Sequence, residues 1–469
     1  MSITHTHSDA LVFFGATGDL AYKKIFPSLQ ALVKRGHLNV PVVGVAKAGW
    51  NLEQFRGRAK DSLEKHGGID PAAFAKLISL LHYVDGDYED SATFAALRNE
   101  IKNSQHPAHY LAIPPVLFET VVRKLSEASC SQGARVIVEK PFGHDLASAR
   151  ELNRVLLSAF PEQNIFRIDH YLGKRAVNNL LAFRFANTFV ESFWNRNYIK
   201  CVEITMAEDF GVQGRGAFYD ETGTIRDVIQ NHMFQVLSNL AMEPPVNFDS
   251  ESVRDEKVKV LKAIAPIEAN NLVRGQFQGY LEENGVAKNS KTETFAALSL
   301  EINSWRWKGV PFFIRAGKNL PETCMEIFAR FHKPPALSPD YTLTDNHLRL
   351  RLSPEVTIAM GMMTLRPDAD GMALQTGEMI ATHYPQGDEE DAYERVLGAA
   401  MVGDSALFAR EDYVEEAWRI VDPILGADTP VYSYALHTWG PPEASRVAPP
   451  AGWHNPASKE ITATSEQAA

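Results

Sequence analysis

The chain changes its hydrophobic rhythm once. Up to about residue 175, short continuous apolar runs alternate with amphipathic stretches. Leu11-Val12-Phe13-Phe14 is the first run, and helical spacing follows through Phe26, Leu29, Leu32 and Val33. Residues 40–46, 110–113 and 135–138 are further strand candidates, the last two separated by a helix over 116–126. Strands that are apolar on both faces, joined by helical crossovers, predict a parallel sheet covered on both sides. After Lys174 the strand-like segments alternate apolar and polar positions, at 198–204, 273–281, 294–301, 310–315, 325–331, 348–352 and 357–362. Polar turns join them, so a large and predominantly antiparallel sheet is expected, interrupted by one helical segment over 226–242. The expected architecture is therefore an α/β parallel-sheet domain over residues 1–175. A larger α+β domain with a predominantly antiparallel sheet follows over 176–469. The tail after Arg446, rich in Ala, Pro, Ser and Glu, is expected to be poorly ordered, and no internal repeat is present.

Composition narrows the classes. A chain of 469 residues with 45% hydrophobic and 22% charged residues has the make-up of an ordinary soluble protein of two or three domains. Its three cysteines, Cys130, Cys201 and Cys324, form no CxxC pair. That argues against a disulfide framework or a zinc–thiolate site and for reduced, buried thiols. No apolar run approaches the roughly 18 residues of a membrane helix, and residues 1–9 lack the basic and apolar regions of a signal peptide. A cytoplasmic location is expected, with no membrane partner. The net charge of −11 disfavours nucleic-acid binding. A phosphate ligand must be held by a local basic cluster on an acidic background.

Four clusters carry candidate chemistry. Gly15-Ala16-Thr17-Gly18-Asp19-Leu20-Ala21 follows the first strand and opens the first helix, where glycines admit a pyrophosphate and the helix N-terminus supplies N–H donors. This places a dinucleotide in a Rossmann-type domain. The second strand ends on Lys47, where an acidic residue would bind a ribose 2′-hydroxyl; a cation there favours a 2′-phosphate, hence NADP over NAD. Glu139-Lys140-Pro141-Phe142-Gly143 puts Lys140 at the carboxyl end of a strand, where such folds bind ligands, and Pro141 is a candidate cis proline. In Arg167-Ile168-Asp169-His170-Tyr171-Leu172-Gly173-Lys174, a helix beginning near Asp169 would set His170 and Lys174 four apart on one face. His170, Tyr171 and Lys174 can then hold a dianionic phosphate; the structural alternative is an Asp-capped helix start with solvated charges. In the segment 226–232, His232 falls on the apolar stripe of Ile229, Val236 and Leu240. Most such histidines are core residues, but Asp227 and Asn231 stand close by in sequence, and a base for a hydroxyl proton needs a near-neutral pKa.

These strings together resemble the glucose-6-phosphate dehydrogenase family. GATGDLA at 15–21, EKPFG at 139–143, RIDHYLGK at 167–174 and RDVIQNH at 226–232 carry the resemblance. VRGQF at 273–277, RAGK at 315–318, EEAWRIVDPIL at 415–425 and WGP at 439–441 extend it along nearly the whole chain. The resemblance implies oxidation of glucose 6-phosphate at C1 to 6-phosphogluconolactone, with hydride passing to NADP. It implies that His232 is the general base and Asp169 the carboxylate that orients it. His170, Tyr171 and Lys174 would bind the phosphate, Lys140 would lie near both substrate and nicotinamide, and Glu208, Asp227 and Lys318 would contact the sugar. Gly15, Thr17, Gly18, Asp19, Leu20, Lys24, Lys47 and Lys140 would line the cofactor. The resemblance implies a homodimer or homotetramer and requires no metal. Two departures stand out. The family usually carries Arg at Lys47, so dual use of NADP and NAD is open, and it often carries a second basic residue at Thr323, which bears on the choice of hexose phosphate. An enzyme of unphosphorylated sugars would have no anion for RIDHYLGK to hold, and a non-catalytic nucleotide sensor would have no need of His232 and Asp169.

Overall fold

The structure, a computed structural model, describes residues 6–335, 343–366, 373–383, 389–426 and 429–457. They group into two compact units: residues 1–179, 242–259 and 388–419 form the first, and 180–241, 260–387 and 420–469 the second. The two later segments of the first unit come from chain that the sequence reading placed in the second domain.

The first unit is built on β1 (Ala10–Phe14), β2 (Val42–Ala46), β3 (Leu81–Asp85), β4 (Pro107–Leu111), β5 (Arg135–Glu139) and β6 (Ile165–Ile168). These pair in parallel in the order β6-β5-β4-β1-β2-β3, and the two-residue strand Phe408–Ala409 closes the β6 edge in antiparallel sense. All five residues of β1 are buried. Leu11 and Phe13 point into one apolar layer with Phe26, Leu29 and Phe55, while Val12 and Phe14 point into the other with Phe94, Val121 and Leu125. Burying each such side chain stabilises the fold by about 1.5–3 kcal/mol. The strand order reverses between β1 and β4, and in open α/β sheets this reversal marks the ligand crevice at the strands' carboxyl ends. The strands β3 and β6 and the edge strand were not among the expected ones.

Among the described residues the second unit holds nine strands: β7 (Ile199–Ala207), β8 (Leu272–Phe277), β9 (Phe295–Glu301), β10 (Pro311–Gly317), β11 (Cys324–Phe331), β12 (His347–Ser353), β13 (Val356–Leu365), β14 (Leu374–His383) and β15 (Val431–Tyr434). Their order is β14-β13-β12-β11-β7-β10-β9-β8-β15. Pairing is antiparallel as expected, except that β10 runs parallel to β7 and β15 parallel to β8. The parallel pair matters for the site, because it sets the carboxyl ends of β7 and β10 side by side, with Ala207 opposite Gly317.

The expectation of a loosely held tail concerns residues after Arg446. As far as Ala457 the tail is tied to the sheet: Arg315 Nη2 donates to the His454 carbonyl at 2.6 Å, and the His454 N–H donates to Glu203 Oε2 at 2.6 Å. The His454 ring stacks on Phe328 with centroids 3.8 Å apart, and Arg351 Nη2 donates to the Ala457 carbonyl at 3.0 Å. Residues 458–469 lie outside the described part. Cys130, Cys201 and Cys324 are buried free thiols, and burial pushes Cys201 up to about 11 and Cys324 up to about 12. No helix among the described residues is long and apolar enough to cross a membrane.

Candidate active site

In the first unit, the turn after β1 is shaped by Gly15. Its φ is +76°, and a Cβ there would lie 2.2 Å from the Ala112 carbonyl oxygen, so a side chain is excluded on both counts. The Gly15 N–H donates to the Val45 carbonyl at 3.0 Å and to the Tyr88 hydroxyl at 2.8 Å, and Tyr88 in turn donates to Val45 at 3.1 Å. Thr17 is half-buried, while Gly18 and Asp19 are exposed where the helix begins. Among the described residues no side chain caps that start, at Leu20. An open helix N-terminus behind a glycine turn, at the strand-order reversal, fits a dinucleotide pyrophosphate. Asp19 pairs with Lys23 at 3.1 Å, and Lys24 is exposed on the same helix.

Lys47 follows β2 as expected, but it is engaged: its ammonium bonds Asp87 Oδ2 at 2.6 Å, and that bond raises its pKa. Asp85 nearby accepts the N–H groups of Ala48, Gly49 and Trp50 at 3.0, 2.8 and 3.3 Å, which wraps the loop after β2 around a carboxylate. A 2′-phosphate at Lys47 must therefore compete with Asp87.

At the end of β5, Glu139 is buried and accepts from the Tyr110 hydroxyl at 2.5 Å. Burial pushes its carboxyl up to about 7 and the Asp169 charge adds to this, against the lowering effects of Tyr110 and Lys140. Lys140 is half-buried, the Lys140–Pro141 peptide bond is cis as anticipated, and the Trp418 indole N–H donates to the Phe142 carbonyl at 2.8 Å to hold the turn. Asp169 is buried after β6 and caps the helix His170–Gly173, accepting from the Tyr171 N–H at 3.0 Å. The expected single helical face does not form. The helix ends after four residues and Lys174 is extended, with ψ 124°. Gly173 shows why the chain turns here: a Cβ would lie 2.6 Å from the Ala392 carbonyl oxygen, and Arg395 Nη1 donates to the Gly173 carbonyl at 2.5 Å. Lys174 still reaches its expected neighbour, its ammonium standing 3.7 Å from the centre of the Tyr171 ring. Tyr393 stacks on His170 with centroids 6.0 Å apart and planes 11° apart, and Glu139 and Asp169 act on its hydroxyl, which burial raises. Lys257 is buried as well, and its charge interacts with Asp169.

In the second unit, Glu208 and Lys318 leave the parallel pair β7/β10 together and form an ion pair at 2.5 Å. The Lys318 ammonium lies 5.0 Å from the centre of the Tyr219 ring. Tyr219 is buried, and its hydroxyl is raised by burial first and then by the charges of Asp227, Glu293 and Glu208. Three expected sugar contacts, Glu208, Asp227 and Lys318, thus converge on a tyrosine that the sequence reading did not single out. Thr323 is bound to the residue after Glu208, its hydroxyl donating to Asp209 Oδ1 at 2.5 Å.

The helical segment that carries Asp227 and His232 differs from the expected α-helix. It runs as Gly216–Thr224 with a kink at Gly223, a π-helix Ile225–Met233, and an α-helix Phe234–Ala241. In a π-helix the bonding runs i→i+5, so residues five apart become neighbours along the axis; Asp227 and His232 are five apart. The Asn231 side chain joins in at the same spacing, donating to the Arg226 carbonyl at 2.9 Å, and its oxygen accepts from the His232 N–H at 2.6 Å. His232 is 3% exposed.

The sequence matches the family patterns described as "Glucose-6-phosphate dehydrogenase, NAD binding domain" over residues 12–179 and "Glucose-6-phosphate dehydrogenase, C-terminal domain" over 181–454. It is 42% identical over 453 residues to glucose-6-phosphate 1-dehydrogenase 1 of Mycobacterium tuberculosis, covering 96% of this chain and 97% of that protein. Among solved structures it resembles a glucose-6-phosphate 1-dehydrogenase from Mycobacterium avium, with TM-score 0.91 and 41% identity over 97% of this chain and all of that one. It also resembles a glucose-6-phosphate dehydrogenase in complex with glucose 6-phosphate, with TM-score 0.88 and 37% identity over the same shares of the two chains.

Proposed function

Because the chain belongs to the glucose-6-phosphate dehydrogenase family, we propose that it oxidises glucose 6-phosphate at C1 to 6-phosphogluconolactone with NADP as acceptor. The turn at 169–174 carries this reading: a buried carboxylate caps a one-turn helix, and His170, Tyr171 and Lys174 supply an anion's ligands beside it. The phosphate is held there, with Lys174 as the point charge. Glu208, Asp227 and Lys318 bind the sugar hydroxyls. His232 takes the proton from O1, and Asp169 orients the imidazole and stabilises its cation. The nicotinamide accepts the hydride that leaves C1. Gly15, Thr17, Gly18, Asp19 and Leu20 seat the pyrophosphate, Lys24 and Lys140 lie on the cofactor, and Lys47 receives the 2′-phosphate at the expense of its bond to Asp87. That competition favours some use of NAD. The first unit, residues 1–179 with 242–259 and 388–419, acts as the dinucleotide domain, and the second shapes the sugar pocket and the subunit contacts of a homodimer or homotetramer in the cytoplasm.

The test is reduced-cofactor absorbance with glucose 6-phosphate or glucose, and NADP or NAD, for wild type and His232→Asn. Turnover of the phosphorylated sugar alone, with kcat reduced by about 10²–10⁴-fold or more in the variant, is expected. Equal turnover of both sugars, or a near-normal kcat in the variant, overturns the reading.

A further inference from the structure

The ion pair of Glu208 and Lys318 is made just where two strands stop. Glu208 is the first residue after β7 and Lys318 the first after β10, and the Glu208 N–H donates to the Gly317 carbonyl at 3.0 Å. The next residue, Asn319, has φ +50°, a left-handed conformation that residues with a side chain adopt only when their surroundings hold them in it. What holds this turn comes from more than a hundred residues further along the chain. Tyr434, the last residue of β15, donates its hydroxyl to the Lys318 carbonyl at 2.7 Å, and the His437 N–H donates to the Asn319 carbonyl at 2.7 Å.

Tyr434 is itself fixed. It is 2% exposed, its carbonyl accepts from the Gln278 N–H at 2.9 Å, and its hydroxyl lies 3.0 Å from that of the fully buried Thr294. The Thr294 hydroxyl accepts from the Phe277 N–H at 2.9 Å, and the Thr294 carbonyl accepts the Lys318 N–H at 2.9 Å. With Thr294 donating to Tyr434, the bonds run in one direction from the Phe277 N–H through two hydroxyls to the Lys318 carbonyl. Burial raises the Tyr434 hydroxyl, which therefore keeps its proton and remains a donor around neutrality. Glycines make room for this reach: a Cβ at Gly275 would lie 3.1 Å from the Tyr434 ring, and one at Gly317 would lie 2.8 Å from the Phe295 ring, on which Tyr434 packs with centroids 5.7 Å apart.

We infer that Tyr434 is a positioning residue: by holding the Lys318 carbonyl it fixes the turn from which Lys318 and Glu208 meet the sugar. The inference rests on the assignment of that ion pair to glucose 6-phosphate. A small rotation of the Lys318 peptide is amplified along a four-carbon side chain into a displacement of the ammonium. Groups that bind a reacting sugar must stand within about 0.5 Å of their working places, and a misplacement of about 1 Å costs up to 10²-fold in rate.

The experiment is a double-mutant cycle in the full-length protein: kcat/KM for glucose 6-phosphate with NADP in Tyr434→Phe, Lys318→Met and the double variant, with NADP binding followed by fluorescence. Tyr434→Phe removes one oxygen and keeps the ring. It is expected to lower kcat/KM by about tenfold, the scale of leaving one buried acceptor unmet, with NADP binding unchanged. In the Lys318→Met background, where no ammonium is left to aim, the same change should lower it by less than about twofold. A loss of equal size in both backgrounds is what a merely structural role gives, and it overturns the inference. A Tyr434→Phe variant within about twofold of wild type overturns it as well. If Tyr434→Phe does not fold, Thr294→Val, which removes the hydroxyl that holds Tyr434, takes its place with the same outcomes. Lys318→Met alone separates the two assignments. If it leaves kcat/KM within about twofold of wild type, the ion pair is not at the sugar and the parent reading of it fails. If it lowers kcat/KM by about 100-fold while the Tyr434 loss is absent, or equal in both backgrounds, only the role of Tyr434 fails.

Discussion

Replacing Glu139 by Gln removes a titrating carboxyl while keeping its shape and a carbonyl oxygen for the Tyr110 hydroxyl. In the fold this carboxyl is pushed up to about 7 from its ordinary 4.5, chiefly by burial and also by Asp169. A gap of 2.5 units between those two values corresponds, at 1.36 kcal/mol per unit, to about 3 kcal/mol. The folded pKa lies above the unfolded one. The group's contribution to stability is therefore complete below about pH 4.5 and is lost as pH rises through 7. The variant does not titrate, so its stability minus that of the wild type should climb by about 3 kcal/mol from acid to neutral pH and then level off. Urea unfolding of both proteins at a series of pH values measures this, and taking the difference cancels the other titrating groups. A difference that stays flat, or that falls as pH rises, would mean that Glu139 ionises in the fold as readily as in the unfolded chain. The burial argument for this corner of the site would then be wrong.

Asp87→Asn removes the anion that occupies Lys47. Steady-state kinetics should show the KM for NADP falling by about 3–10-fold with the KM for NAD unchanged, as expected for freeing one exposed charge; an unchanged NADP value would place the 2′-phosphate elsewhere. Lys318→Met leaves Glu208 without its 2.5 Å partner. It should lower kcat/KM for glucose 6-phosphate by about 100-fold, the cost of truncating one member of a charge pair, without altering NADP binding measured by fluorescence. A change of less than about twofold would remove Lys318 from the sugar site.

What the sequence made legible was local. Continuous runs such as Leu11–Phe14 and Arg135–Val138 read as buried strands because both of their faces are covered. The alternation in β12 likewise gave its half-covered character, with every second residue buried. The glycine turn after β1 was legible from position, since only glycine meets the backbone of Ala112 there. Tyr88, Tyr219, Glu139, Tyr393 and Lys257 were not legible as site neighbours, because each reaches its partners through tertiary packing that no spacing records. Glu139 stood in a motif whose next residue drew the attention. The π-helix at Ile225–Met233 also escaped, since apolar positions at three- and four-residue spacing read as an α-helix. Lys47 was found as a cation, but its bond to Asp87 joins two loops 40 residues apart.

The parallel sheet that seats the dinucleotide is finished only late in synthesis. Its edge is closed by Phe408–Ala409, and its apolar layer includes Val396, Leu397, Ala400 and Met401. Arg135 on β5 donates to the Met401 carbonyl at 2.9 Å and to the Ser8 hydroxyl at 2.8 Å, which ties β5 to segments far from it in the sequence on either side. A ribosome that has extruded every strand from β1 to β6 has therefore made a sheet with an unpaired edge and an oily flank. That state persists while more than two hundred further residues are added, the interval from Ile168 to Phe408. Domains ordinarily close as they emerge, and exposed edges and apolar surface invite aggregation. A premature stop anywhere before residue 408 therefore leaves the parallel sheet without its edge strand and without part of its apolar layer.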